Sequence, residues 1–186
     1  MNNYPRFAQV KEKKYKINTD FRIALKCNQI ATDGNIADEE RALAIIYLLY
    51  GDEGLNNSQD WEDLIQIALK FLKCGKQEVN NEEEVDMDFE QDWNYIQTSF
   101  FYDYNIDLTQ TEIHWWQFYD LMVGLSEKCI LNRVRFVRTY DISQIKDSKE
   151  KQKWIKQKEL VALKKEKSSE EKRLDEIFER QLRKEQ

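Results

Sequence analysis

The stretch Thr109–Leu125, TQTEIHWWQFYDLMVGL, decides how the rest of the chain is read. Thr109 and Glu112 stand at the spacing of a capping box, where hydroxyl and carboxylate each satisfy a free N–H of a helix's first turn. Ile113, Trp115, Trp116, Phe118, Tyr119, Leu121, Met122, Val123 and Leu125 follow. At about 3.6 residues per turn they cover nearly the whole circumference, which predicts a central helix with neighbours on several sides. His114, Gln117 and Asp120 form a narrow polar stripe at three-residue spacing, expected to bond within itself or to a neighbouring helix. Trp115 and Trp116 point about 100° apart and are not expected to face one neighbour. The run is too short and too polar to cross a membrane, which takes about 20 apolar residues.

Around this helix the composition predicts a mainly α, single domain. One Pro and five Gly favour long helices over a turn-rich β fold, and nine Phe, nine Tyr and five Trp supply a core. Two partly alternating runs, Tyr4–Val10 and Lys13–Ile17, predict a small β-hairpin turning at Lys11-Glu12, whose edge is an expected self-association contact. Helices are expected over 20–31, from a cap at Asp38 to Gly51, and over 59–74, 89–102, 109–125 and 127–140, about six in all. Trp93, Phe100, Ile113, Trp116, Leu121 and Leu125 are the expected structural core.

Charge divides the chain. Residues 1–76 are neutral, residues 77–127 carry 13 acidic and no basic side chains, and residues 128–186 are net +7. The segment 78–88 is expected to be a solvated acidic loop within a core domain 1–146, followed by a charged helical tail 147–186. In that tail Trp154, Val161, Leu174, Ile177, Phe178 and Leu182 make a thin apolar stripe, too irregular for a coiled-coil seam and suited to a partner. Arg133, Arg135 and Arg138 give the sixth helix a basic face. An acidic protein surface is the expected match, ahead of nucleic acid, which the acidic block would repel.

No residues announce catalysis. His114 is the single histidine and has no Ser or Cys nucleophile at a motif spacing. Cys27, Cys74 and Cys129 are too far apart in sequence for a zinc pattern, and free thiols in a reducing compartment are expected. Asp86, Asp88 and Glu90 resemble the start of a calcium loop, but Gln91 and Gln97 replace its Gly and Glu. The expectation is a non-enzyme with no cofactor and no metal. The first residues, MNNYPRFAQVKEKK, have no apolar signal core, so a cytoplasmic location is expected.

One resemblance adds a role. The run 100–128, FFYDYNIDLTQTEIHWWQFYDLMVGLSEK, continues into Arg133-Val134-Arg135-Phe136 and Tyr140-Asp141-Ile142, with a further match at Tyr15–Arg22. With its YxIDL…HWWxF block the chain resembles the tail-assembly chaperones of tailed phages, encoded upstream of the tape-measure protein. The resemblance implies a helical protein without an active site. Such a protein would coat the tape-measure protein in the host cytoplasm, hand over to tail-tube protein and be absent from the mature virion. A structural virion protein, such as a connector or tail-completion component, is the alternative; a nucleic-acid-binding regulator is a weaker one.

Overall fold

Ala8, Val10, Tyr15 and Ile17 turn inward and are buried, while Phe7, Gln9, Lys14 and Lys16 face solvent. This alternation folds as an antiparallel hairpin, β1 (Phe7–Val10) and β2 (Lys13–Lys16), with Phe7 opposite Lys16 and Val10 opposite Lys13. We describe the protein from a computed structural model covering residues 4–76 and 86–164. The hairpin is anchored from below. Asp60, 2% exposed, accepts the Tyr15 hydroxyl at 2.6 Å and Lys11 Nζ at 3.2 Å.

Seven α-helices follow among the described residues. Asp20 caps α1 (Phe21–Thr32) by accepting the Arg22 N–H at 2.8 Å. α2 (Asp38–Leu55) is interrupted at Gly51, whose φ of 65° only glycine adopts without strain. The sequence expectation ended this helix at Gly51; a short second piece continues it to Leu55. A 3-10 turn, Ser58–Asp60, leads into α3 (Trp61–Leu72). Then come α4 (Trp93–Tyr104), α5 (Trp115–Val123), α6 (Ile130–Thr139) and α7 (Ser148–Val161). α1 packs on α2 and α5, α2 on α3, α4 on α5 and α6, and α7 on α6.

Phe118 is the centre of the core. Its fully buried ring stacks on Phe21 at 4.6 Å, Phe100 at 5.0 Å and Trp115 at 5.8 Å, so α1, α4 and α5 meet on one side chain. Phe100, Ile113 and Leu125 are buried; Trp93, Trp116 and Leu121 are half-buried against the same cluster.

The central helix is shorter than its sequence suggests. Asp107 takes the Thr109 hydroxyl at 2.6 Å and the Thr109 N–H at 2.8 Å, so residues 107–111 form a turn and not a capping box. His114 then forms an isolated antiparallel bridge with Asp20, just before the two helices start, through Phe21 N–H to Ile113 O at 3.0 Å and Trp115 N–H to Thr19 O at 2.7 Å. His114 becomes the cap of α5, its Nδ1 accepting the Trp116 N–H at 3.1 Å. Nor is α5 apolar all round. Trp115, Phe118 and Met122 are buried, but Gln117, Asp120 and Val123 face solvent. The polar stripe does not bond within itself: Asp120 accepts the Tyr4 hydroxyl at 2.8 Å, and His114 Nε2 meets Pro5 O at 2.9 Å.

The two adjacent tryptophans share one neighbour after all. Trp115 Nε1 donates to Leu72 O and Trp116 Nε1 to Phe71 O, both at 2.9 Å. They close the carbonyl end of α3: Leu72 O has no backbone donor among the described residues, and Phe71 O takes the indole N–H beside the Cys74 N–H at 3.0 Å. Two adjacent indoles in a helix's first turn diverge at Cα yet are long enough to converge at their N–H groups. Gly75 follows with φ 69°, and a Cβ there would lie 3.0 Å from the Trp116 ring, so glycine is favoured on both counts.

Candidate partner-binding surface

The basic segment after α5 is built differently from a simple solvated face. Cys129 is the cap residue of α6, and Ser126 donates N–H and hydroxyl to Asp103 at 2.7 and 2.8 Å. Leu131 and Val134 are buried, and Ser99 of α4 accepts the Leu131 N–H at 3.1 Å. The three arginines then part ways. Arg133 is exposed and has no ion pair among the described residues. Arg135 pairs with Asp86 at 2.9 Å. Arg138 is nearly buried. Its guanidinium grips both oxygens of fully buried Asp92 at 2.6 and 2.7 Å, donates to Asp86 O at 2.9 Å, and gives Nε to Val161 O at 2.5 Å. A planar fork with several donors can satisfy all of these at once, which an ammonium could not.

α7 rests on this cluster. Asp147 caps it through the Glu150 N–H at 2.7 Å. Trp154 stacks on Tyr140, the residue that ends α6, with ring centres 4.1 Å apart, and meets Phe136 edge-on at 6.5 Å. Lys158 Nζ donates to Tyr140 O at 2.8 Å, placing a cation at the negative end of α6. Gln91 and Lys164 exchange two hydrogen bonds, at 2.7 and 3.1 Å. Val161 is half-buried, and Leu174, Ile177, Phe178 and Leu182 lie outside the described residues. Part of the acidic loop expected over 78–88 is likewise outside them.

Three residues here carried no sequence signal. Asp92 sits in a polar string where many carboxylates look alike; its burial comes from a turn in which Asp88 accepts the Glu90 and Gln91 N–H groups. Tyr140 and Lys158 belong to no shared periodicity, because they meet across a loop. Asp86, Asp88 and Glu90, the residues with a calcium-like spacing, are used within the chain: Glu90 accepts Gln29 Nε2 at 3.2 Å. Among the described residues no group of three His, Cys, Asp or Glu could hold a metal ion, and no helix is long and apolar enough to cross a membrane.

The titratable groups follow their surroundings. Burial pushes the Cys27 and Cys74 thiols up to about 12, which makes both poor nucleophiles. Burial, then the hydrogen bond to Asp60, raises the Tyr15 hydroxyl to about 12. The Tyr15 bond, aided by Lys11 and Lys13, holds Asp60 below the usual carboxylate range. Burial lowers His114, consistent with a neutral ring that accepts at Nδ1 and donates at Nε2.

No curated protein and no solved structure matches this chain. A family model described as bacteriophage Gp15 protein matches residues 2–163 and so spans the hairpin, every helix above and the α6–α7 cluster. The chain belongs to the bacteriophage Gp15 protein family.

Proposed function

We propose that this phage protein is a tail-assembly chaperone. It binds the tape-measure protein in the host cytoplasm, keeps that long helical client soluble, and yields it to tail-tube subunits. It acts by binding alone, without cofactor or metal. Family membership supplies the phage setting. The observation that carries the reading is α7, a helix of 14 residues with none buried, presented at the edge of a well-packed core. A reversible holder needs a shallow, solvated helical contact of this kind, since many weak contacts along one client give avidity without a tight single site. The net charge of −6 suits the same role by keeping a crowded complex soluble.

Co-expression with a tape-measure protein from the same phage, followed by pull-down and sedimentation, tests the proposal. A soluble complex with many copies per client is the expected result. A client that stays insoluble and unbound would remove the chaperone reading. Finding the protein in purified virions would instead favour a connector or tail-completion component.

A further inference from the structure

We infer that the C-terminal end of α6 is a seat for a partner helix, and that α7 occupies it until such a helix arrives. The partner is an acidic amphipathic helix carrying an aromatic residue four positions before a lysine. Which phage protein supplies that helix rests on the holding role proposed above; the seat itself does not.

α7 is held as a bound ligand is held. With no residue of its own buried, it depends on the Trp154–Tyr140 stack, the Phe136 edge contact, Lys158 on the Tyr140 carbonyl, Val161 O beneath Arg138, and the Gln91–Lys164 pair. A 14-residue helix is marginal alone in water, so its order relies on these few contacts.

The seat is only part covered. Phe136 is 57% exposed with α7 in place, and Arg133, one turn earlier on the same stripe, is exposed and unpaired among the described residues. Its chemistry is also general. A flat Tyr140 ring accepts any aromatic face, and the carbonyl end of a helix draws any cation. Trp154 and Lys158 deliver both groups from one helix face.

Charge selects the partner. α6 has three Arg and no acidic residue, and α7 has five Lys against two Glu, so a basic helix sits on a basic one. Asp86, Asp92 and Asp141 offset part of this: the first two pair with Arg135 and Arg138, and Asp141 lies near Lys151 and Lys158. A helix that keeps the aromatic–lysine pair but has carboxylates in place of Lys149, Lys153 and Lys156 meets less repulsion. It can compete with α7 despite the tether, whose effective concentration is of roughly millimolar order.

The test uses the isotope-labelled full chain and two synthetic peptides of residues 146–164. One has the native sequence; the other carries Lys149→Glu, Lys153→Glu and Lys156→Glu. Binding is followed by NMR. The acidic peptide is expected to shift Arg133, Phe136 and Tyr140, to bind more tightly than the native peptide, and to weaken with added salt. A Trp154→Ala chain, whose own helix has lost the stack, should bind it about tenfold more tightly than the native chain, because a larger fraction of seats is vacant. Lys158→Glu provides the same vacancy with the ring intact, should Trp154→Ala fail to fold. Tyr140→Ala should abolish binding. Equal affinity for native and vacated chains, or shifts away from α6, would overturn the assignment. So would concentration-dependent association of the native chain that Trp154→Ala removes, since α7 would then be exchanged between copies. None of these outcomes uses a phage client, so the seat and the chaperone role can fail separately.

Discussion

Replacing Arg138 by methionine retains much of its apolar stem and removes the charge from the point where α4, α6 and α7 meet. Asp92, with 0% exposure, would keep only the Asp88 N–H at 3.0 Å as a donor. Stranding one member of a buried ion pair costs about 3–5 kcal/mol. For a chain of this size that corresponds to a fall in Tm of roughly 10 °C. Urea unfolding followed by circular dichroism should show a lower midpoint with an unchanged slope. Arg138→Lys should lie between, since it returns a charge but not the fork. The double variant Asp92→Asn, Arg138→Met should recover a large part of the loss, because neither buried charge remains. A loss under about 1 kcal/mol for Arg138→Met, or a double variant as unstable as the two single losses added, would refute the reasoning.

His114 is the single histidine, so the stability change between neutral pH and the carboxylate range belongs to it. Its folded pKa is lowered by burial, so stability is full above the unfolded value of about 6.5 and falls as pH drops below it; His114→Asn, which caps without titrating, should flatten that slope in denaturation titrations. Asp60 behaves as a carboxylate with a lowered pKa, so its contribution is present above the unfolded value and lost as pH falls through the folded one; Tyr15→Phe should move that loss to higher pH in acid titrations of the hairpin's amide signals. Trp115→Ala should cost about 3–5 kcal/mol, and Trp115→Phe less, the latter measuring chiefly the unpaired Leu72 carbonyl; a negligible loss for Trp115→Phe would show that the indole N–H contributes nothing. Gly75→Ala should destabilise by about 1 kcal/mol or more, from positive φ and the close Trp116 ring; a neutral result in thermal melts would contradict both.

The features written in local chemistry were readable from the chain. Alternation at Ala8, Val10, Tyr15 and Ile17 announces the hairpin, and Gly75 marks the end of α3 by a rule that needs only neighbours. Helices were expected where apolar spacing is regular, and the mainly α fold with its small hairpin follows. What could not be read depends on competition or distance. Thr109 has two local partners within reach, its hydroxyl donating to Asp107 or accepting the Glu112 N–H of a capping box, and only the finished turn decides between them. The Trp115–Trp116 pair looks divergent until α3 is placed beneath it. Arg133, Arg135 and Arg138 look alike at two- and three-residue spacing, yet burial leaves one without an ion pair among the described residues, one a half-exposed pair and one the centre of a cluster. The surface near Tyr140 was invisible for the same reason: Lys158 lies 18 residues away, across a loop.

The closure of α3 by two later indoles also has a temporal consequence. Leu72 O waits for a donor 43 residues downstream, and the Tyr4 hydroxyl for an acceptor 116 residues away. Contacts of that span must repay a large loop-closure entropy before they stabilise anything, which places them late on the folding route. During synthesis the first helices can form as the chain emerges, but α3 keeps an unsatisfied end and the N-terminal arm has nothing to hold until α5 arrives. These bonds therefore become available to the N-terminal half only once α5 has emerged.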